Sequence, residues 1–198
     1  VTRRGALALV ILALGLSACG GQVEEGAFRA GQAPVCSQPN EHMILLAQTV
    51  QTSTRLPCIT GYPAGWSYAG DDLRNGSATF WLSAVAASPT SMVHTIEVQL
   101  VPSCERTGDP FIVRDATGIV GYRTTGPDGE TRRYVYRGGC VIETVALPKG
   151  TDPLLIDQAD GILGFVSREA LAAQLEREND VVLCGVGAAP CAGTSSSP

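Results

Sequence analysis

The chain has 198 residues, with 14 Lys and Arg against 19 Asp and Glu, for a formal net charge of −5 at pH 7. That acidic balance argues against a non-specific nucleic-acid binder, which needs an excess of cations to displace phosphate counterions. With 44% hydrophobic and 17% charged residues, the chain has enough apolar material for a core and does not read as a disordered segment.

Arg3 and Arg4 precede an almost purely aliphatic run from Ala6 to Leu16. Such a run rises about 16 Å as a helix, roughly half of a bilayer core. That length suits the apolar region of a signal peptide rather than a membrane span. The run ends on Leu16-Ser17-Ala18-Cys19, followed by Gly20 and Gly21. This stretch resembles the bacterial lipobox. The resemblance implies that the Cys19 thiol receives a diacylglyceryl group and that the chain is cut before it. The expected layout is a signal peptide over 1–18, a flexible tether over 19–35, one domain over 36–192 and a disordered tail over 193–198. The expected location is the extracytoplasmic face of the cell membrane, held there by the lipid anchor. Without Arg3 and Arg4 the charge moves from −5 to −7. Val1 in first place reads as a non-ATG start. Thirteen arginines against one lysine, Lys149, read as a GC-rich genome, and the two together point to an actinobacterium.

With Cys19 lipidated, six cysteines remain: Cys36, Cys58, Cys104, Cys140, Cys184 and Cys191. An even number in an exported chain reads as disulfides. Sequence alone does not fix the pairing. Proximity along the chain favours Cys36–Cys58, Cys104–Cys140 and Cys184–Cys191. No CxxC spacing exists, and His42 and His94 are far from each other, so no metal site is expected.

Asn40 before EHMILLAQTV reads as a helix cap, with Glu41 at the positive end of the dipole. Met43, Leu46, Ala47 and Val50 then form one apolar face. RLPCITGYPAGW reads as extended and Asp71 to Gly76 as a polar turn. SATFWLSAV and VHTIEVQLV read as strands, the second with His94, Ile96, Val98 and Leu100 on one face. GIVGYRTTGPDGETRRYVYR reads as a hairpin. Pro127-Asp128 suits the centre of a type I turn, and Gly129 supplies a left-handed residue. A three-residue loop places Gly126 opposite Glu130, Tyr122 opposite Tyr134 and Arg123 opposite Arg133. CVIETVAL follows as a strand after Gly138-Gly139. Asp152-Pro153 opens a helix running to about Leu163, with Gly164 as its stop. Ser167 caps a last helix, with Leu171 and Leu175 facing inward. The expected class is α+β: a single disulfide-stapled domain, with an antiparallel sheet packed by one N-terminal and two C-terminal helices.

At LPCITGYPAGW, VPSCER, YVYRGGCV and LGFVSREAL, over about Cys36 to Arg177, the chain resembles a family of uncharacterised actinobacterial lipoproteins. YPAGW leading into a sheet is also similar to Mog1/PsbP-like lipoprotein domains. The first resemblance implies an envelope location and carries no activity. The second implies a fold alone.

No Gly-x-Ser-x-Gly elbow, P-loop or dinucleotide fingerprint is present, so no cofactor is expected. His94 reads as a strand residue, and Asp71-Asp72 as a solvated loop. Trp66, Trp81, Tyr62 and Tyr68 read mainly as core, with a sugar groove as the alternative. The hairpin register puts Arg123, Arg133 and Arg137 on one face with Ile119 and Val135. Neighbouring guanidiniums repel unless an anion compensates them. An anion-binding face is therefore expected, for an anionic envelope ligand or a protein partner. The favoured function is a membrane-tethered, non-enzymatic binding or scaffold module of the cell envelope. The alternative is an envelope hydrolase whose site is assembled from residues distant in sequence.

Overall fold

The computed structural model describes residues 33–38, 40–84, 94–113, 118–127, 129–147, 150–179, 182–185, 187 and 189. The expected signal peptide, Cys19, most of the tether, Cys191 and the tail lie outside the described residues. Three helices and nine strands are described: α1 (Glu41–Thr49), β1 (Arg55–Ile59), β2 (Trp66–Arg74), β3 (Ser77–Ala84), β4 (Ile96–Val101), β5 (Asp109–Phe111), β6 (Val120–Gly126), β7 (Gly129–Tyr136), β8 (Gly139–Val145), α2 (Pro153–Ile162), β9 (Leu163–Ser167) and α3 (Arg168–Asn179). The class is α+β, as expected.

Seven strands form one antiparallel sheet in the order β2-β3-β4-β8-β7-β6-β5, and β1 pairs with β9 in a separate ribbon. One face of the large sheet is apolar. Phe80 on β3 lies beside Val98 on β4, and Leu82 beside Ile96. Leu100 lies beside Val141 on β8, and all six are buried. This alternation is the signature of a sheet packed on one side. The core joins that face to Met43, Leu46, Ala47 and Val50 of α1, Leu56 and Ile59 of β1, and Leu171 and Leu175 of α3. Among the described residues no helix is long and apolar enough to cross a membrane.

The helix ends follow the sequence chemistry. Asn40 Oδ1 accepts from the Met43 amide at 3.0 Å, and Asp152 Oδ1 from Leu154 at 2.9 Å with Pro153 at the start of α2. Ser167 Oγ accepts from the Ala170 amide at 3.0 Å. Each bond satisfies an amide that has no partner within its helix.

Three local readings are corrected. Asp71 and Asp72 lie within β2, and the reversal falls on Asn75 and Gly76. β2 is an edge strand with most of its residues partly or fully exposed, so its sequence carries the polarity of a turn. Gly164 is not a helix stop but a residue of β9. A Cβ there would lie 2.8 Å from Cys36 Sγ and 2.7 Å from the Thr60 methyl, so its bareness serves the ribbon. The hairpin closes from Gly126 to Gly129, one residue tighter than expected. Gly129, at φ 142°, joins the strand ladder instead of the loop, and Tyr122 faces Arg133 rather than Tyr134.

Cys36–Cys58 and Cys104–Cys140 are disulfides, as proximity favoured. Cys184 is also disulfide-bonded.

Candidate functional site

A one-residue shift in a hairpin moves side chains to the other face of the sheet, and the three expected arginines separate accordingly. Arg123 is paired with Arg132, on the core side. Its Nε lies 3.1 Å from Glu130 Oε1, and its guanidinium sits 5.2 Å from the Phe111 ring centre. Arg133 faces the open side beside Tyr122 and Ile142, where Nη1 reaches Thr124 Oγ1 at 3.4 Å. Arg137 lies past the end of β7 in the turn to β8, and is exposed. The expectation of one shared arginine face is therefore corrected. Glu130 supplies the charge that neutralises Arg123.

The residue that the sequence reading passed over is Arg132. It is buried and bridges Glu130 and Glu143, with Asp160 of α2 as a third carboxylate. Burial works against its charge. Glu143 first, then Glu130 and Asp160, outweigh that, and hold the guanidinium above its ordinary pKa. Glu143 is fully buried. Its Oε2 accepts from the Tyr134 hydroxyl at 2.7 Å, while Oε1 has no hydrogen-bond partner among the described residues. Burial pushes the Glu143 carboxyl up, against the pull of Arg132 and Tyr134. A signal for this network was present. Glu143 stands between Val141 and Val145 on the apolar face of its strand, and a buried carboxylate requires a cation on a neighbouring strand.

Arg137 has a different setting. It lies at the rim of a cleft of about 650 Å³, which it shares with Arg55, Tyr136, Arg168, Glu169 and Glu176 among others. That volume is in the range of small-ligand sites. One wall is the start of β1 and the end of β7. Thr54 Oγ1 donates to the Arg137 carbonyl at 2.6 Å, and the Tyr136 hydroxyl donates to the Arg55 carbonyl at 2.9 Å. Burial pushes the Tyr136 phenol above its ordinary pKa, with the Ser53 hydrogen bond opposing it. The tyrosine is therefore a neutral donor. Helix α3 also lines the cleft, where Glu169, Ala172 and Glu176 recur at i, i+3 and i+7 and so share one helix face.

Arg168 lies at the base of the cleft and is 3% exposed. Its Nη1 donates to the Ala47 carbonyl at 2.6 Å and its Nη2 to the Cys184 carbonyl. Among the described residues no carboxylate pairs with it. Burial draws its pKa down. A buried cation is ordinarily matched by an anion, and here its known partners are backbone carbonyls. These residues come together through the β1–β9 pairing of Arg55 with Ser167, a contact that leaves no local mark in the sequence.

The remaining candidates do not converge. Trp66 is on the core side of the sheet, with its indole donating to Gln158 Oε1 at 2.8 Å. Trp81 is on the open side, where its indole donates to Glu97 at 2.9 Å and its ring stacks on His94 at 4.9 Å. No shared groove includes both. His42 Nε2 lies 3.4 Å from Asp71 Oδ1 and links α1 to β2. Among the described residues no group of three or more His, Cys, Asp or Glu could hold a metal ion.

No family model matches the chain, and no curated protein matches it. A crystal structure from Bacteroides thetaiotaomicron VPI-5482, at 1.50 Å resolution, aligns at 10% identity with a TM-score of 0.28. The alignment covers 69% of this chain and 62% of that protein, and likeness at this level carries no argument about fold or activity.

Proposed function

We propose that the chain is a lipid-anchored, extracytoplasmic binding module of a bacterial cell envelope, with its ligand in the cleft between α3 and the β7–β8 turn. The observation that carries the location is the oxidation state of the cysteines. All five described cysteines, Cys36, Cys58, Cys104, Cys140 and Cys184, are disulfide-bonded. Disulfides persist in oxidising compartments and are rare in the cytosol. The Leu16-Ser17-Ala18-Cys19 stretch agrees with that compartment and supplies the anchor, since two or more acyl chains hold a protein firmly to a bilayer. The cleft supports the binding role because buried Arg168 lines it and has no carboxylate partner among the described residues.

Cys19→Ser tests the anchor. The wild type is expected in the membrane fraction, with a lipid-modified Cys19 peptide in mass spectra. The variant is expected as a soluble or uncleaved chain. A variant that is processed and membrane-bound like the wild type overturns the reading.

A further inference from the structure

The cleft is lined by charge of both signs, Arg137 and Arg168 against Glu169 and Glu176, and those charges do not pair with each other among the described residues. Among the described residues no ion pair or hydrogen bond engages the Glu169 or Glu176 carboxylate or the Arg137 guanidinium. Arg168 adds a buried guanidinium bonded to backbone carbonyls. A purely anionic ligand would satisfy the arginines and be repelled by Glu169 and Glu176. A purely cationic ligand would meet the reverse. The pattern fits a ligand with an anion at one end and a cation at the other.

The length of the helix wall sets the ligand size. Arg168 and Glu169 open α3, and Glu176 lies two turns further along. From Arg168 to Glu176 eight residues of helix rise about 12 Å. An extended peptide advances about 3.3–3.6 Å per residue, so three or four residues span that distance.

We infer that the cleft binds a peptide of three or four residues through its free ends, with the carboxylate at Arg168 and Arg137 and the ammonium at Glu176. This rests on the proposed role of the cleft as the ligand site. Guanidinium forks suit a terminal carboxylate, and a compact ammonium suits a lone glutamate. Peptides with a blocked end leave one charge unmatched, and free alanine is too short to reach both Arg168 and Glu176.

The test is titration calorimetry of the purified full chain with trialanine, N-acetyl-trialanine, trialanine amide and alanine. Trialanine is expected to bind at concentrations up to about 10 mM, the weak range usual for small ligands. Blocking either end is expected to weaken binding about tenfold or more, as loss of a charged hydrogen bond does. Glu176→Gln is expected to make trialanine and its N-acetyl form bind equally. Arg137→Ala is expected to shrink the penalty of amidation. Both residues are exposed, so unchanged melting curves will show that the variants are folded. Absence of trialanine binding overturns the inference, as does equal binding of free and blocked forms by the wild type. Neither result moves the Cys19→Ser fractionation, so failure here is distinguishable from failure of the envelope reading.

Discussion

Arg132 on β7 and Glu143 on β8 are register partners, and their side chains meet inside the protein with Nη1 3.4 Å from Oε2. The guanidinium also holds Glu130 on its own strand and Asp160 on α2. Asp160, and Gln158, whose Oε1 accepts from the Trp66 indole N–H, tie α2 to the large sheet. The helix otherwise buries Ala159 and Ile162, while Leu154 stays 61% exposed.

Arg132→Met is therefore expected to lower stability by about 3–5 kcal/mol, because Glu143 is left buried without its cation. The double variant Arg132→Met/Glu143→Leu is expected to recover most of that loss, since a well-packed apolar pair often equals a buried ion pair. Urea unfolding of the two single variants and the double variant measures the coupling. An additive result would show that the two side chains act independently.

Stability is expected to fall as pH rises above the ordinary glutamate range. The folded state raises the Glu143 pKa above its unfolded value. Between those two values the fold holds a proton that the unfolded chain releases. The contribution is complete below the unfolded pKa and is lost as pH climbs through the raised folded one. Glu143→Gln removes this proton exchange. Urea midpoints from about pH 5 to about pH 8 should decline less steeply for the variant than for the wild type. Parallel curves would place the titration elsewhere.

The Cys104–Cys140 bond links the segment after β4 to the start of β8 across a separation of 36 residues, and Cys36–Cys58 spans 22. Replacing either pair with serines is expected to cost about 2–4 kcal/mol. Non-reducing peptide mapping of the protein should find both bonds and no free thiol at Cys184. A stoichiometric free thiol at any of these positions would contradict the oxidised state.

Gly138 adopts φ 78°, and a Cβ there would lie 2.1 Å from the Thr52 carbonyl oxygen. Backbone meets backbone at this point, so neither side can give way by a rotamer change. Gly138→Ala is expected to cost more than about 1 kcal/mol. It is also expected to displace neighbouring Arg137 at the cleft rim. Thermal melting measures the first effect, and trialanine binding by the folded variant measures the second.

Much of the fold was legible because its signals are local. Asn40, Asp152-Pro153 and Ser167 each mark a helix start by a side chain bonding to an amide two or three residues away. Ile96, Val98 and Leu100 mark a core face by alternation alone. The hairpin register was less secure, because it turned on whether Gly129 belonged to the loop or the ladder, and glycine suits both. That single residue put Arg123 beside Arg132 on the core side, away from the face of Arg133. The cleft was not legible. Arg55 and Arg168 are brought near one another by β1 pairing with β9, over a separation that no sequence pattern spans.

The Cys36–Cys58 bond also decides how the molecule would carry mechanical load. Tension applied from the N-terminal side reaches Cys36 and crosses the sulfur bridge directly into β1. From Cys58 it passes through the ribbon to Gly164 and the rest of β9. Helix α1 lies inside the loop that the bridge closes, between residues 36 and 58. It is a slack segment on that path. The helix that lines the core stays unstretched, and the force falls on the hydrogen bonds joining β1 to β9.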